Sequence, residues 1–190
     1  MKVLAAALAL TAACAVDPTE ESSTSPRDPK IQVLLTDAPG DFESVWVNIA
    51  SVAIESGGEW LTLTEEPQRF DLLTLQNDVT AALGDAALQP GMYGQLRLLV
   101  DTASVVIDGA ESPLQIASGA QTGIKIDLDQ MIEADTTYSL TLDYDAHKSV
   151  KTTGQGFLMT PVITVKDFTA TPMPPATEPD SEEQPTDNPQ

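Results

Sequence analysis

His147 is the only histidine of this 190-residue chain, and it stands in Asp145-Ala146-His147-Lys148-Ser149, with a carboxylate, an imidazole and a hydroxyl within a few positions. Those are the groups of nucleophilic acyl transfer, in which the imidazole must sit between hydroxyl and carboxylate with both ring nitrogens engaged. Triad members normally come from separate segments, so a local run at a strand end reads instead as an exposed loop histidine. Carboxylates offer a second chemistry. Asp37 and Asp41 bracket one loop, Asp143 and Asp145 share a strand face, and Asp127 and Asp129 share another. Oxygen-only sets of this kind could hold calcium, which makes Asp37, Asp41, Asp143 and Asp145 the candidate metal ligands. None follows the D-x-D-x-D-G loop pattern, and the face with Asp143 also carries Ser139 and Thr141, as a solvated sheet surface does. The nitrogen and sulfur set usual for zinc cannot be assembled from one histidine and one cysteine. Carboxylates at glycosidase separation cannot be read either, because sequence fixes no distance between strands.

Two tryptophans could bind. Trp46 opposes the face of Val45 and Val47, and Trp60 opens a strand after Gly57-Gly58. Exposed on a sheet, either would suit a sugar or protein contact; the competing placement is burial on the second sheet face. The Gly154-Gln155-Gly156 turn lacks the P-loop lysine and leads into a strand, so it does not support phosphate binding.

Composition narrows the partners. With 29 acidic against 9 basic residues and a net charge of −20, long-range electrostatics oppose nucleic acid and anionic headgroups. Solubility accounts for such a charge; a partner it did attract would be neutral, basic or a cation.

The termini carry most of the information on location. Met1-Lys2, an uncharged run from Val3 to Leu10 and small residues up to Cys14 have the layout of an export signal, far shorter than the roughly 20 residues that span a bilayer. Leu10-Thr11-Ala12-Ala13-Cys14 resembles the bacterial lipobox, with Thr11 where leucine usually stands. That resemblance implies cleavage before Cys14 and its lipidation, and Ala15 after it favours the outer over the inner membrane. Ala13-Cys14-Ala15 is also an A-x-A site, which would give a secreted or periplasmic soluble form. Residues 15–29, rich in Pro, Ser, Thr and charge, read as a flexible linker, and residues 169–190 as a disordered acidic, Pro-rich tail.

Between them, residues 30–168 alternate with the period of strands. Ile31 to Leu35 opens the domain; Val45, Val47 and Ile49 share a face, and Val52 and Ile54 continue one position out of phase, which predicts a β-bulge near Ala50-Ser51. Gly57-Gly58 and Asp108-Gly109 are hairpin turns. Leu96, Leu98 and Val100 alternate, as do Ile124, Ile126 and Leu128, then Tyr138, Leu140, Leu142 and Tyr144. Phe157 to Val165 reads as the last strand, with Pro161 marking an edge or bulge. Gln76 to Ala82, with Asp78 near its start, could hold one short helix. The expectation is an all-β fold: a single antiparallel β-sandwich, immunoglobulin-like or transthyretin-like, with at most one short helix and a closed barrel as the alternative. Without a second cysteine, its stability must come from an apolar core.

Segments LTDAPGDFESVWVNIASVAI, FDLLTLQNDVTAALGDAALQPGMYGQLRLLVDTASVVIDG, SGAQTGIKI and LTLDYDAHKSVKTTGQGFLMTPVI, in that order, resemble the family known as domain of unknown function 4382. The resemblance implies a secreted or lipid-anchored bacterial envelope protein and supplies no catalytic residue. The functional expectation is a non-enzymatic binding or structural module without cofactor, held to the membrane by lipid at Cys14, with a protein or polysaccharide partner and no nucleic acid. The alternatives are a carboxylate-based enzyme or accessory domain acting on envelope polymer, and a calcium-stabilised, adhesin-like domain.

Overall fold

The computed structural model describes residues 25–38, 42–117, 122–154 and 156–175. Cys14, Asp41 and most of the expected linker and tail lie outside them. The order of strands is β1 (Lys30–Thr36), β2 (Ser44–Ser56), β3 (Glu59–Thr64), β4 (Gln68–Asp71), β5 (Ala81–Ala87), β6 (Gly91–Ile107), β7 (Ala110–Ile116), β8 (Ile124–Ile132), β9 (Thr136–Tyr144), β10 (Val150–Thr153), β11 (Gly156–Met159) and β12 (Ile163–Pro172). A 3-10 turn at Leu72–Leu75 and a single helical turn, α1 (Ala146–Ser149), complete the described residues.

Two sheets result. The smaller has the order β12-β9-β1-β5; the larger runs β10-β11-β7-β6-β2-β3, with β4 also beside β2 and β8 also beside β6. The long strands β2 and β6 are the spine of the larger sheet, and each changes partner midway. β2 pairs with β4 through Trp46–Ile49 and with β3 through Val52–Ser56. The switch falls at the expected bulge, where the β2–β6 register slips between Asn48, Ile49 and Ser51. That one extra position keeps Val45, Val47 and Ile49, then Val52 and Ile54, all on the buried side. Both predicted hairpins form two-residue turns with positive φ at Gly57, Gly58, Asp108 and Gly109, matching the twist of the flanking strands.

One apolar cluster draws on both sheets: Ile31, Val33 and Leu35 of β1 and Tyr138, Leu140, Leu142 and Tyr144 of β9 join Val45 to Ile54 of β2 and Leu96, Leu98 and Val100 of β6. The alternation read from sequence is therefore the core itself.

Four expectations need correction. The pairing is not antiparallel throughout: β1–β9 and β11–β7 are parallel. Neither pair is joined by a hairpin, so no tight turn forces opposite directions. Gln76 to Ala82 is not a helix, because Asn77 and Asp78 adopt left-handed φ of 57° and 64°, and Ala81 onward pairs with β1 as β5. The Phe157–Val165 strand is two strands. Thr160-Pro161-Val162 interrupts the ladder, and the chain passes from the larger sheet at β11 to the smaller at β12. Finally, Thr169–Pro172, read as the start of the tail, pairs with Ser139–Thr136 of β9. Most side chains of β12 are exposed, so its composition looked like tail while its main chain was bonded.

The linker end is anchored as well. Arg27 donates from its backbone N–H and from Nε to Asp135 Oδ1, at 3.2 and 2.9 Å, and Pro29 O accepts from Leu88 N at 2.8 Å.

Candidate functional site

Parallel pairing of β1 with β9 places Thr36 opposite Asp143, so the loop after β1 and the turn after β9 meet at one end of the smaller sheet. Asp37, Asp143 and Asp145 converge there. Asp37 is buried: its Oδ1 accepts from the Ala146 N–H at 2.9 Å, while Oδ2 and the nearby buried Gln76 Nε2 close no hydrogen bond of ordinary length. Burial pushes the Asp37 acid up to about 6; the Ala146 and Gln76 contacts oppose the rise, and the charges of Asp143 and Asp145 add to it. Asp145 moves the other way. Burial works against its charge, but the Lys148 side chain at 2.7 Å and the Lys148 N–H at 2.9 Å hold it below the usual carboxylate range. Burial and the neighbouring Asp37 raise the phenol of Tyr144, whose hydroxyl lies 3.4 Å from Met159 Sδ.

Two carboxyls with acidities pushed apart are the pattern of an acid–base pair, but the surroundings here are structural. Asp37 is only 3% exposed and lines none of the surface grooves described below. Asp145 caps α1, as short polar side chains do at a helix start. Ser149 Oγ donates to Asp145 O at 2.6 Å and accepts from Val162 N at 2.9 Å, so its hydroxyl fastens the turn to the crossover between sheets. His147 is exposed, its ring 6.3 Å from that of Phe42. Asp145, His147 and Ser149 are thus close in space without the relay geometry of a triad.

Of the four candidate calcium ligands, three are brought together and Asp41 is outside the described residues. Among the described residues, no group of three His, Cys, Asp or Glu side chains is arranged to hold a metal ion. Asp127 and Asp129 stay on the exposed side of β8, where Asp127 accepts from Gln95 Nε2 at 2.8 Å.

The outer face of the larger sheet holds what the sequence only half disclosed. Both tryptophans are there, half-buried, each under a cation: the Arg69 guanidinium carbon lies 4.5 Å from the ring centre of Trp46, and that of Arg97 lies 4.3 Å from Trp60. Arg69 is also paired with Glu111 at 3.0 Å, and Ser104 Oγ donates to the same carboxylate oxygen. With Asn48 and Thr102 these groups line a polar groove of about 300 Å³. A larger concavity of about 500 Å³ opens between β6 and β7, lined by Leu99–Ala103, Pro113, Leu114 and Ile116. Its one charged group, Asp101, already accepts from Asn48 at 2.7 Å. Sequence reasoning found the tryptophans and missed the cations; the signal was the outward phase of Arg97 and Lys125, next to buried Leu96, Leu98 and Ile126.

The chain belongs to the family described as domain of unknown function (DUF4382), whose model matches residues 29–161. No curated protein matches it. Among solved structures it is similar to the crystal structure of a putative cell adhesion protein from Bacteroides eggerthii DSM 20697, with 15% identity and a TM-score of 0.36. That match covers 77% of this chain, which spans just over half, 56%, of the other.

Proposed function

We propose that this chain is a lipid-anchored protein of the bacterial envelope whose two sheets form one β-sandwich acting as a non-catalytic binding or structural module. The observation that carries the reading is the use made of the carboxylate cluster: Asp37 holds the Ala146 N–H, Asp145 holds Lys148, and Ser149 ties α1 to Val162. Groups committed to the backbone in this way are not free to move protons on a substrate. The sandwich is supported by the single apolar cluster shared between the sheets. The anchor is supported by the short apolar run before Cys14, and the hold of Asp135 on Arg27 gives the following linker a fixed point of entry to the domain.

The test is metabolic labelling with palmitate and membrane fractionation of the full chain and of Cys14→Ser in a bacterial host. Label and membrane association are expected in the native sequence and lost in C14S. An unlabelled native chain that fractionates with soluble protein would overturn the anchor.

A further inference from the structure

We propose that the groove lined by Trp46, Asn48, Arg69, Thr102, Ser104 and Glu111, on the outer face of the larger sheet, binds a sugar unit of a neutral polysaccharide; the proposal rests on the binding-module reading and names its ligand class.

Register puts these residues on one face. Across β2 and β6, Trp46 is opposite Ser104 and Asn48 is opposite Thr102, and Arg69 of β4 is opposite Asn48 on the other side. Their neighbours Val45, Val47, Ile49 and Val105 are buried on the core side. Glu111 of β7 joins the group through its carboxylate, whose Oε1 accepts from Arg69 Nη2 at 3.0 Å and from Ser104 Oγ at 2.6 Å. The main chain of β2 from Trp46 to Ile49 is laddered on both sides, to β4 and to β6. A ligand over it therefore meets side chains and cannot add to β2 as a further strand.

What those side chains leave free is suited to hydroxyl groups. The bonds among them use one oxygen of Glu111, one nitrogen of Arg69 and the amide nitrogen of Asn48, which donates to Asp101 at 2.7 Å. Among the described residues, Glu111 Oε2, Asn48 Oδ1, the Thr102 hydroxyl and the Arg69 Nε and Nη1 groups close no hydrogen bond. Acceptors and donors thus stand side by side, and a hydroxyl, which donates and accepts at once, satisfies both kinds. The planar groups are already oriented by their mutual bonds, so less ordering remains to be lost on binding.

Charge and shape narrow the ligand further. The one cation lining the groove, Arg69, is neutralised by its one carboxylate, Glu111, so the groove selects neither an anion nor a cation, and the net charge of −20 opposes an acidic polymer. Half-buried Trp46, with the Arg69 guanidinium carbon 4.5 Å from its ring centre, supplies apolar surface for the C–H side of a sugar ring. The volume of about 300 Å³ is at the low end for small-molecule sites and suits one ring-sized unit.

The groove also faces away from the tether. Asp135 accepts from Arg27 and from the Met173 N–H, so both ends of the described chain leave the domain beside the turn between β8 and β9. β6 starts at that end, with Gly91 opposite Ile132, and carries Thr102 and Ser104 toward its other end. A domain held through Arg27 presents this groove outward.

The full chain is titrated at neutral pH with dextran, mannan and xylan, and with polygalacturonate and polylysine as charged comparators, by calorimetry and tryptophan emission. At least one neutral polymer binds, more tightly than either charged one. Asn48→Ala and Glu111→Gln each weaken that binding about tenfold, the size of one hydrogen bond to a charged group, and Arg97→Gln leaves it unchanged. Trp46→Phe removes the emission change that Trp60→Phe retains. The proposal is overturned if no neutral polymer binds, if polygalacturonate or polylysine binds as tightly as the best of them, if E111Q binds like the native chain, or if the emission change survives in W46F. Glu111 is exposed, so its variant keeps the fold. Failure here leaves the anchored-module reading intact, because palmitate labelling and C14S do not involve this face.

Discussion

The Asp37 carboxylate accepts a hydrogen bond from the Ala146 N–H at 2.9 Å across 109 positions of sequence. The bond joins the end of β1 to the turn that follows β9, the two strands being parallel neighbours whose ends coincide. A buried carboxyl with few partners is a poor home for a negative charge, and burial raises its pKa accordingly, to about 6.

The sign of the consequence follows from linkage. An acid with a folded pKa of about 6 against a reference of 3.8 binds more protons folded than unfolded between those values, so its contribution falls as pH rises through that window. Asp37→Asn keeps the acceptor for Ala146 and removes the charge. The variant is therefore expected to gain on the native chain as pH goes from about 4 to about 6.5, by about 1–2 kcal/mol at pH 7 once solvent screening is allowed for. Urea midpoints of both proteins across that range check it. A constant difference between them would show that Asp37 does not titrate there.

Core positions were legible because one chemical property repeats with a fixed period: Leu96, Leu98 and Val100, or Tyr138 to Tyr144, announce their face without knowledge of any partner. The bulge and both two-residue turns were legible for the same local reason. Strand direction and sheet membership were not, since β1 and β9 are separated in sequence by most of the domain. Edge strand β12 was hidden because main-chain pairing leaves no mark on composition. At the candidate sites, the aspartates could be named but not their convergence, which depends on parallel register, and the tryptophans could be named but not the arginines above them. Arg97 is far from Trp60 in sequence and reaches it only across the ladders joining β3, β2 and β6.

Gly123 has φ of +91° and no room for a methyl group beside Arg97. Gly123→Ala is expected to lower stability by about 1–3 kcal/mol from backbone strain and to push the arginine off Trp60. Thermal unfolding reads the first effect. The second appears as a change in tryptophan emission that Arg97→Gln reproduces without the loss of stability, and a stable G123A with native emission would refute the close contact of Gly123 with Arg97.

Leu98 is fully buried in the centre of the larger sheet, in the cluster shared with β1 and β9. Leu98→Ala removes its contacts to both sheets and leaves a cavity, for an expected loss of about 2–5 kcal/mol. Two separate cores would give a second, unshifted unfolding transition in calorimetry; one shared core gives a single transition at lower temperature.

The last strand supplies a test of where the folded domain ends. β12 runs to Pro172, with Thr169–Pro172 paired to Ser139–Thr136, and Met173 N donates to Asp135 O at 2.7 Å. A chain ending at Phe168 keeps the stacking of Phe168 on Tyr138, whose ring centres are 5.4 Å apart, and loses main-chain bonds of an exposed edge and the exposed bond of the Thr169 hydroxyl to Asp167. Each bond is worth about 0.5–1.5 kcal/mol net, partly offset by the chain entropy regained, so the chain ending at Phe168 should be about 1–3 kcal/mol less stable than one ending at Pro175. It should also free the Asp135 carbonyl from Met173, while the Asp135 side chain keeps its hold on Arg27, which holds its carboxyl below the usual carboxylate range. Amide hydrogen exchange at Thr136–Ser139 distinguishes the outcomes. Faster exchange in the shorter chain follows if β12 covers the β9 edge, whereas equal protection would mean that the domain ends at Phe168, as its composition alone suggests.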